Sequence, residues 1–433
     1  MKQEKYDVLV IGSGVGGLGV AALLAKDGYK TLVVEKMPLI GGRASSVNLH
    51  GFILPTGAVM AERGGIVEWL FDEVGAPFEE VSIAPFRFRI GGEDYQMPEK
   101  GGIKSLVYLI ADESEGEKIM KAIRRGFNWR EPSDLMSVKD WLNQYTSNEK
   151  IIALFDGILS HGGENVDEMP AGEFIRHLKI MSRTSGGIPP RGTIGLMEEL
   201  ARALKNKGGE LWTRCRTKRI LVSDEIARGA IVEKDGSELE IAAEVVISNA
   251  GPKQTVQLAG SENFDKGYLK EVSDLVPPPS IQFFIASDRP LFNHTGFYFL
   301  PDARRLRLLI CPTLTCPQLA PPGKHWIEAV GYPPSLLGTW KPEEEIELIL
   351  QDLRDNLPRF DEEAEILHVA CFKDGWPSYH ALQGAAIHPK TSVENLYNVG
   401  DGVAPKGYTG IAGCAKSAEI VADDIKQRIK PGV

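Results

Sequence analysis

Cysteine is scarce in this chain of 433 residues, and the few that occur are scattered: Cys215, Cys311, Cys316, Cys371 and Cys414. None belongs to a CxxC pair, so the sequence offers no starting point for a zinc site or a redox dithiol. We therefore predict no metal site, and we expect reduced structural thiols of the kind found in cytoplasmic proteins.

Long apolar runs and an excess of positive charge are also missing. Charge or glycine interrupts the hydrophobic stretches before the roughly 20 residues that a membrane-spanning helix needs. The formal net charge of -10 repels nucleic acid and anionic lipid at long range. The start, MKQEKYDVLVIG, has neither a basic leader nor an apolar signal core. We expect a cytoplasmic enzyme that does not bind nucleic acid, while peripheral membrane contact stays open because an amphipathic patch leaves little trace in composition.

Glycine, in contrast, is abundant, with 46 residues, and its first cluster follows a strand-like run. The stretch YDVLVIGSGVGGLGVAALLAKDG predicts a buried strand over residues 6–11, a glycine turn, and a helix from Gly16 to Asp27. A second strand over residues 31–34 ends on Glu35. The order is strand, glycines, helix, strand and acid.

This order predicts a dinucleotide site of Rossmann type. Gly12 allows the tight turn, Gly14 lets the backbone approach a pyrophosphate, and Gly17 lets helix pack on strand. The helix N-terminus at Gly16 offers unpaired N–H groups to phosphate. Glu35 lies where a carboxylate accepts hydrogen bonds from the adenosine ribose. A lone GxGxxG motif is weak, and the alternative here is a βαβ unit without nucleotide.

The next segment, MPLIGGRASSVNLHGFILPTGAVM, is rich in glycine and is interrupted by proline, so we expect it to stay extended. Gly41 and Gly42 allow the backbone to lie close to a long, flat ligand. Arg43 can reach a phosphate or the edge of an isoalloxazine ring, or it can form a surface salt bridge. With Lys36, these residues are predicted to bind the cofactor.

Both ends of the chain resemble one enzyme family. GSGVGGLGVAALLAKDGYKTLVVEKMPLIGGRASS is similar to the N-terminal FAD signature of the phytoene desaturase and amine oxidase superfamily, and NLYNVGDGVAPKGYTGIAGCAKSAEIVADDI resembles its closing motif. The resemblance implies a strand ending in Gly400, with Asp401 binding ribityl or pyrophosphate oxygens. It also implies that Gly410, Ile411 and Ala412, at the start of a helix, face the flavin.

The middle of the chain fits the same resemblance. The segment GTIGLMEELARALKNKGGELWTRCRTKRILV is similar to the family's return to the FAD domain, which implies that the backbone at Thr217 contacts the adenine. The turn Ser248-Asn249-Ala250 after EVVI resembles the family's small-residue turn near the flavin, which implies a contact of Asn249 with the flavin; the alternative is an ordinary strand end. Because no second strand-GxGxxG-helix unit occurs, we expect an external electron acceptor or donor instead of a built-in NAD(P)H domain.

The predicted fold class is α/β, with a Rossmann-type FAD-binding domain into which a discontinuous α+β substrate domain is inserted. The FAD-binding domain is predicted to comprise residues 1–75, 189–271 and 385–433. The substrate domain is predicted to comprise residues 76–188 and 272–384.

The resemblance implies an FAD-dependent oxidoreductase of phytoene desaturase type, which desaturates, saturates or isomerises carbon-carbon bonds of a small, largely apolar, isoprenoid-like substrate. The alternatives are a flavin amine oxidase and a redox-silent flavin-binding protein.

Because the cysteines show no pattern for covalent attachment of the flavin, we expect FAD to be bound non-covalently. Tyr408 and Trp376, with Tyr379 nearby in the sequence, are candidates for the reacting face; the alternative for Tyr408 is packing at the start of the last helix. Arg191 either steers an anionic substrate group or lies outside the site.

Overall fold

The computed structural model describes residues 4–336, 338, 340–373 and 375–432. The α-helices are, in chain order, α1 (Val15–Lys26), α2 (Ile66–Val74), α3 (Gly102–Ile110), α4 (Glu113–Asn128), α5 (Val138–Leu142), α6 (Glu149–Ser160), α7 (Ala171–Met181), α8 (Thr193–Asn206), α9 (Pro252–Ala259), α10 (Lys266–Asp274), α11 (Pro342–Asn356), α12 (Phe360–Glu363) and α13 (Gly410–Arg428). Short 3-10 helices cover Gly42–Ala44, Ser261–Asn263, Pro312–Leu314, Pro317–Leu319 and Asp401–Val403.

The strands are β1 (Glu4–Ile11), β2 (Thr31–Val34), β3 (Ser46–Leu49), β4 (Phe52–Pro55), β5 (Ala61–Arg63), β6 (Val81–Ser82), β7 (Arg87–Ile90), β8 (Glu93–Gln96), β9 (Ser185–Ile188), β10 (Glu210–Trp212), β11 (Cys215–Ser223), β12 (Ile226–Lys234), β13 (Ser237–Ser248), β14 (Ser280–Ser287), β15 (Tyr298–Phe299), β16 (Leu306–Ile310), β17 (His325–Gly331), β18 (Glu365–Phe372) and β19 (Leu396–Asn398). They form two seven-stranded sheets and two small ones.

The first large sheet has the order β10-β2-β1-β13-β12-β11, with β19 also beside β13. Its centre is parallel, and β11, β12 and β13 pair antiparallel at one side. Apolar side chains of β1 alternate between two core clusters: one lies under α1, α8 and α13, the other under α9 and α10. Burial on both faces explains why these strands are continuous runs of apolar and β-branched residues. The predicted α/β class with a Rossmann-type sheet is confirmed.

The second large sheet has the order β18-β14-β17-β16-β15-β7-β8. One face packs against α4, α6 and α7, and the other packs against α11. Its strands lie within the two segments predicted for the substrate domain, and the strands of the first sheet lie within the three segments predicted for the FAD-binding domain. The domain boundaries themselves stay a prediction.

Local elements deviate little from the sequence-based expectations. The first helix begins at Val15, one residue before the predicted start, and β2 covers the predicted residues. The segment after Glu35, expected to be extended, contains the 3-10 turn Gly42–Ala44, the β3-β4 hairpin and β5. Among the described residues, no helix combines the length and the apolar character needed to cross a bilayer.

Candidate active site

A cavity of about 510 Å³ is lined by both large sheets. From the first sheet and its loops come Gly12, Glu35 and Thr217, and from the second sheet come Gln282 and Phe372. A site between two sheets at the end of parallel strands is where α/β proteins bind their ligands.

The glycine turn forms a close-fitting cradle at the first-sheet side. Gly12 adopts φ 96°, which favours glycine, and a Cβ added to Gly14 would lie 2.5 Å from Oδ1 of Asn249. Gly14 is the N-cap of α1, and no side chain in the described part of the chain caps it. The backbone of this turn is therefore open to an anionic ligand, as in other helix N-terminal phosphate sites.

Glu35 is held in place by hydrogen bonds from three donors. Its Oε2 accepts from the backbone N–H and the hydroxyl of Ser13 at 2.9 and 2.8 Å, and its Oε1 accepts from the N–H of Met37 at 2.8 Å. These bonds fix the carboxylate at the end of β2, beside the glycine turn. Nearby, the hydroxyl of Thr217 is buried and has no hydrogen-bond partner among the described residues.

Arg43 and Asp401 form a two-bond ion pair inside the cavity, with Nη2–Oδ1 and Nη1–Oδ2 distances of 2.7 and 2.9 Å. Nη1 also donates to the backbone oxygens of Pro377 and Ser378, and Nδ1 of His380 lies 2.8 Å from Oδ1 of Asp401. Burial alone would raise the pKa of Asp401, but the positive charge of Arg43 and the hydrogen bonds from Arg43 and His380 lower it well below its usual value. Asp401 is therefore a fixed anion.

Similarity to known proteins identifies the family. A family model described as flavin containing amine oxidoreductase matches residues 15–426. The chain belongs to this family. It is a flavin-dependent oxidoreductase.

Individual relatives resemble this flavin oxidoreductase over nearly its whole length. It is 28% identical over 416 residues to an uncharacterized protein of Methanocaldococcus jannaschii, covering 94% of this chain and 96% of that protein. It is 23% identical to 15-cis-phytoene desaturase of Capsicum annuum, over 98% of this chain and 78% of the desaturase. The crystal structure of an oxidoreductase from Methanosarcina mazei superposes with a TM-score of 0.86 at 29% identity, covering 97% of this chain and 100% of that one.

Most residues predicted to bind the cofactor line the cavity of this flavin oxidoreductase: Gly12, Gly14, Glu35, Lys36, Gly41, Gly42, Arg43, Thr217, Asn249, Asp401, Gly410 and Ile411. The others lie in the packing behind it. A Cβ at Gly16 would lie 2.9 Å from the backbone nitrogen of Gly400, and one at Gly17 would lie 2.1 Å from the oxygen of Gly12. Ala412 is buried in the core between α1 and α13. These four residues allow close packing and do not line the cavity.

Tyr408, the predicted residue of the reacting face, is placed elsewhere. Its ring is partly buried and packs against the core cluster of α1, α8 and α13, outside the cavity lining. The preceding residue, Gly407, is bonded through both its N–H and its C=O to α7, which fixes the backbone at this turn. Trp376 and Tyr379, which lie between β18 and β19, do line the cavity.

Arg191 also lies outside the cavity, so the expectation of a substrate-steering cation there is corrected. Its guanidinium pairs with Glu198 at 3.0 Å and with Glu199 at 2.7 Å on α8. The side chain is 49% exposed. Arg191 thus has the alternative role considered from the sequence, a partner in surface ion pairs.

The cavity residues missed in the sequence include the three on or beside the second sheet: Gln282 on β14, Phe372 on β18 and Tyr332 directly after β17. One signal was available. In SIQFFIAS every residue is buried, and an amide among apolar neighbours in a fully buried strand indicates a polar ligand or partner. Phe372 and Tyr332 carry no such signal, because only strand pairing brings them to Gln282.

Two cysteines line the cavity, Cys215 at the start of β11 and Cys414 near the start of α13, and Cys414 lies on the side of Asp401. Burial raises the pKa of its thiol to about 12, with the charge of Asp401 as the next cause. The group is therefore a thiol at neutral pH and a poor nucleophile.

Proposed function

We propose that this protein is an FAD-dependent oxidoreductase that acts on carbon-carbon bonds of a largely apolar substrate, by desaturation, saturation or isomerisation. Residues 1–75, 189–271 and 385–433 hold FAD, and residues 76–188 and 272–384 hold the substrate. The observation that carries the proposal is the single cavity that joins the glycine turn of the first sheet to the aromatic and amide side chains of the second.

The residues at the first-sheet side fit FAD. The unpartnered hydroxyl of Thr217 and the fixed carboxylate of Glu35 suit the adenosine end. The uncapped start of α1 at Gly14 suits the pyrophosphate. Gly41 adopts φ 98°, and a Cβ there would lie 2.7 Å from Cγ of Met197, so the backbone beside the ligand must be glycine. The protonated thiol of Cys414 supports non-covalent binding.

Bound FAD supplies hydride transfer at its N5. The chain's own contribution is to orient the substrate and exclude water. Phe372 and Tyr332 provide apolar surface on the second-sheet side, and both are at least 91% buried. A dry pocket of this kind suits a carbon-hydrogen bond, which needs few acid or base groups. Whole-length similarity to a phytoene desaturase supports the same chemistry.

Electrons enter or leave through an external partner. The first sheet forms one dinucleotide-binding unit in the described part of the chain, and the predicted FAD site uses its side of the cavity. A nicotinamide cofactor would therefore have to come from outside this unit. We also propose peripheral contact with a membrane surface, from which an apolar substrate is delivered. Its support is the segment after α4, where Trp129 is 89% and Leu135 is 99% exposed.

The test combines cofactor extraction with anaerobic turnover. Acid precipitation of the purified protein is expected to release FAD into the supernatant, and yellow colour kept in the precipitate contradicts non-covalent binding. Under anaerobic conditions, isoprenoid alkenes are expected to bleach the flavin and lose two hydrogens, or to gain two from the dithionite-reduced protein, by mass spectrometry. If photoreduced protein is not reoxidised by oxygen, quinones or NAD(P)⁺, the protein is redox-silent.

Amine oxidation is the second candidate. Tyr332 and Tyr379 both line the cavity, and aromatic faces attract ammonium groups. Bleaching by primary or secondary amines, together with no response to any isoprenoid, selects this function over carbon-carbon chemistry.

A further inference from the structure

Gln282 carries a buried amide without a partner in the described chain. It is 9% exposed and lies on β14, a strand in which every residue is buried. Its Oε1 has no hydrogen-bond partner, and its Nε2 makes no hydrogen bond to the described residues either. Buried polar groups are nearly always hydrogen-bonded in proteins. Because Gln282 lines the cavity, a ligand bound there is the partner that its amide can reach.

Contacts along the cavity wall connect this strand to the start of α13. Ser280, two residues before Gln282 on the same face of β14, is hydrogen-bonded through its hydroxyl to the hydroxyl of Ser378. The next residue, Tyr379, lies against α13, where a Cβ added to Gly410 would be 3.8 Å from its Cε1. Ser378, Tyr379 and Gly410 all line the cavity. Gln282 therefore belongs to the stretch of wall that leads to Gly410, a residue predicted to face the flavin.

The flavin that family membership establishes has an edge that matches an amide. The pyrimidine end of an isoalloxazine ring carries an N3–H donor between two carbonyl oxygens, all in one plane. A primary amide is also planar, with an acceptor oxygen beside an N–H donor. The two groups can form a pair of parallel hydrogen bonds, as Asn and Gln do with the edge of adenine. An apolar substrate has no atoms for either bond.

We propose that Gln282 binds the flavin, with Oε1 accepting from N3–H and Nε2 donating to a neighbouring carbonyl oxygen of the pyrimidine ring. The proposal rests on the part of the proposed function that places FAD in this cavity. It adds a cofactor contact from the second sheet, whose strands lie in the segments predicted to hold the substrate. Both sheets then contact the cofactor, the first at the glycine turn and the second at Gln282.

This contact is expected to raise the reduction potential of the flavin. Reduction adds negative charge to the pyrimidine end of the ring, and an N–H group that donates to a carbonyl oxygen there stabilises the added charge. Loss of the amide should therefore weaken the binding of reduced flavin more than that of oxidised flavin. A tenfold difference between the two corresponds to a potential lower by about 30 mV for two electrons.

The experiment measures the midpoint potential of the flavin in the holoenzyme by equilibration with redox dyes. In Gln282→Met, which keeps the length of the side chain and removes the amide, we expect a potential about 30 mV below that of the parent. The matched control is Gln383→Met. Gln383 is 8% exposed, and its Nε2 also has no partner in the described chain, but it lies outside the cavity lining. Its variant is expected to keep the parent's potential.

A second measurement needs no variant, so it stays informative if Gln282→Met folds poorly. The apoprotein is titrated with FAD and with 3-methyl-FAD, in which a methyl group replaces the hydrogen on N3. The parent is expected to bind FAD roughly tenfold or more tightly, since the methyl group removes the donor to a buried acceptor. Where Gln282→Met can be titrated, this advantage should fall, because its side chain no longer accepts.

Three results overturn the proposal: an unchanged potential in Gln282→Met, an equal shift in Gln383→Met, or equal affinities of the parent for FAD and 3-methyl-FAD. Each is obtained on protein that binds flavin, so each contradicts the Gln282 contact alone. The expected shifts without any carbon-carbon turnover instead contradict only the proposed function.

Discussion

At the scale of single residues, burial changes the chemistry of carboxyl groups most. Burial raises the pKa of Glu328 and of Glu164 to about 8. Glu164 accepts a hydrogen bond from the backbone N–H of Gln383, whereas Oε2 of Glu328 has no partner in the described chain. The folded protein thus holds protons that the unfolded chain releases above its ordinary carboxyl pKa, so these groups make stability fall as pH rises.

Glu328→Gln is expected to remove part of this pH dependence. The contribution of Glu328 to stability is fully present below its unfolded pKa of about 4.5, and it is lost as pH rises through the folded value of about 8. The variant should therefore gain stability over the parent by at most about 1.4 kcal/mol per pH unit across this window. Urea unfolding at several pH values measures it. Glu347→Gln, at an exposed position of α11, is the control; identical slopes for Glu328→Gln and the parent contradict the assignment.

At the scale of elements, α7 holds the turn that precedes α13. Oε1 of Glu173 accepts from the N–H of Gly407 at 2.5 Å, and Nδ1 of His177 donates to its C=O at 3.2 Å. Glu173 is 1% exposed, and its Oε2 accepts from Nε of Arg176 at 2.8 Å. Because Gly410 and Ile411 at the start of α13 line the cavity, these bonds position that part of the cavity wall from a helix that packs on the second sheet.

Glu173→Ala is expected to destabilise the protein by about 1–3 kcal/mol, the cost of leaving a buried N–H unpaired. It should also weaken flavin binding, because the start of α13 loses its support. Glu173→Gln keeps an acceptor for Gly407 and should largely restore both. Urea unfolding and flavin titration of the apoprotein measure the two effects. The control is Glu131→Ala, which removes another partner of Arg176, 2.5 Å away, without touching Gly407. Equal damage by Glu173→Gln and Glu173→Ala counts against this role.

At the scale of the whole molecule, charge is unevenly distributed. The net charge is -10, yet α4 carries Lys118, Lys121 and Arg125 at a spacing that places them on one helix face. The helix ends beside Trp129, which is 89% exposed, and Leu135 in the following loop is 99% exposed. Exposed apolar side chains beside cations are the combination that binds an anionic lipid surface.

Vesicle co-sedimentation tests this contact. The parent protein is expected to bind vesicles containing phosphatidylglycerol, and binding should weaken as salt rises, because the attraction of exposed charges is screened. Replacing Trp129 and Leu135 by Ser is expected to reduce binding severalfold. Ile366→Ser, which removes an apolar side chain 41% exposed on β18, is the control. Binding that survives the double substitution, or that is as strong on neutral vesicles, contradicts the proposed surface.

The sequence alone was sufficient for the Rossmann unit and for twelve of the cavity residues on its side. Strand β2 and helix α1 follow from patterns within a few residues: β-branched runs, helical spacing, and glycines where φ is positive or a Cβ would collide. Such features depend on immediate neighbours, so a chain encodes them locally. The far C-terminal Asp401 was found for the same reason, from a strand followed by a glycine-rich helix start.

Only the tertiary structure decided which side chains line the second-sheet side of the cavity. Tyr408 packs into the core and Arg191 pairs at the surface, although both stand in suggestive motifs. Gln282 and Phe372 meet because β14 pairs with β18, over about 90 residues of chain. The register of long-range strand pairs is set by the packing of the whole sheet, and a one-residue shift would turn each of these side chains away from the cavity.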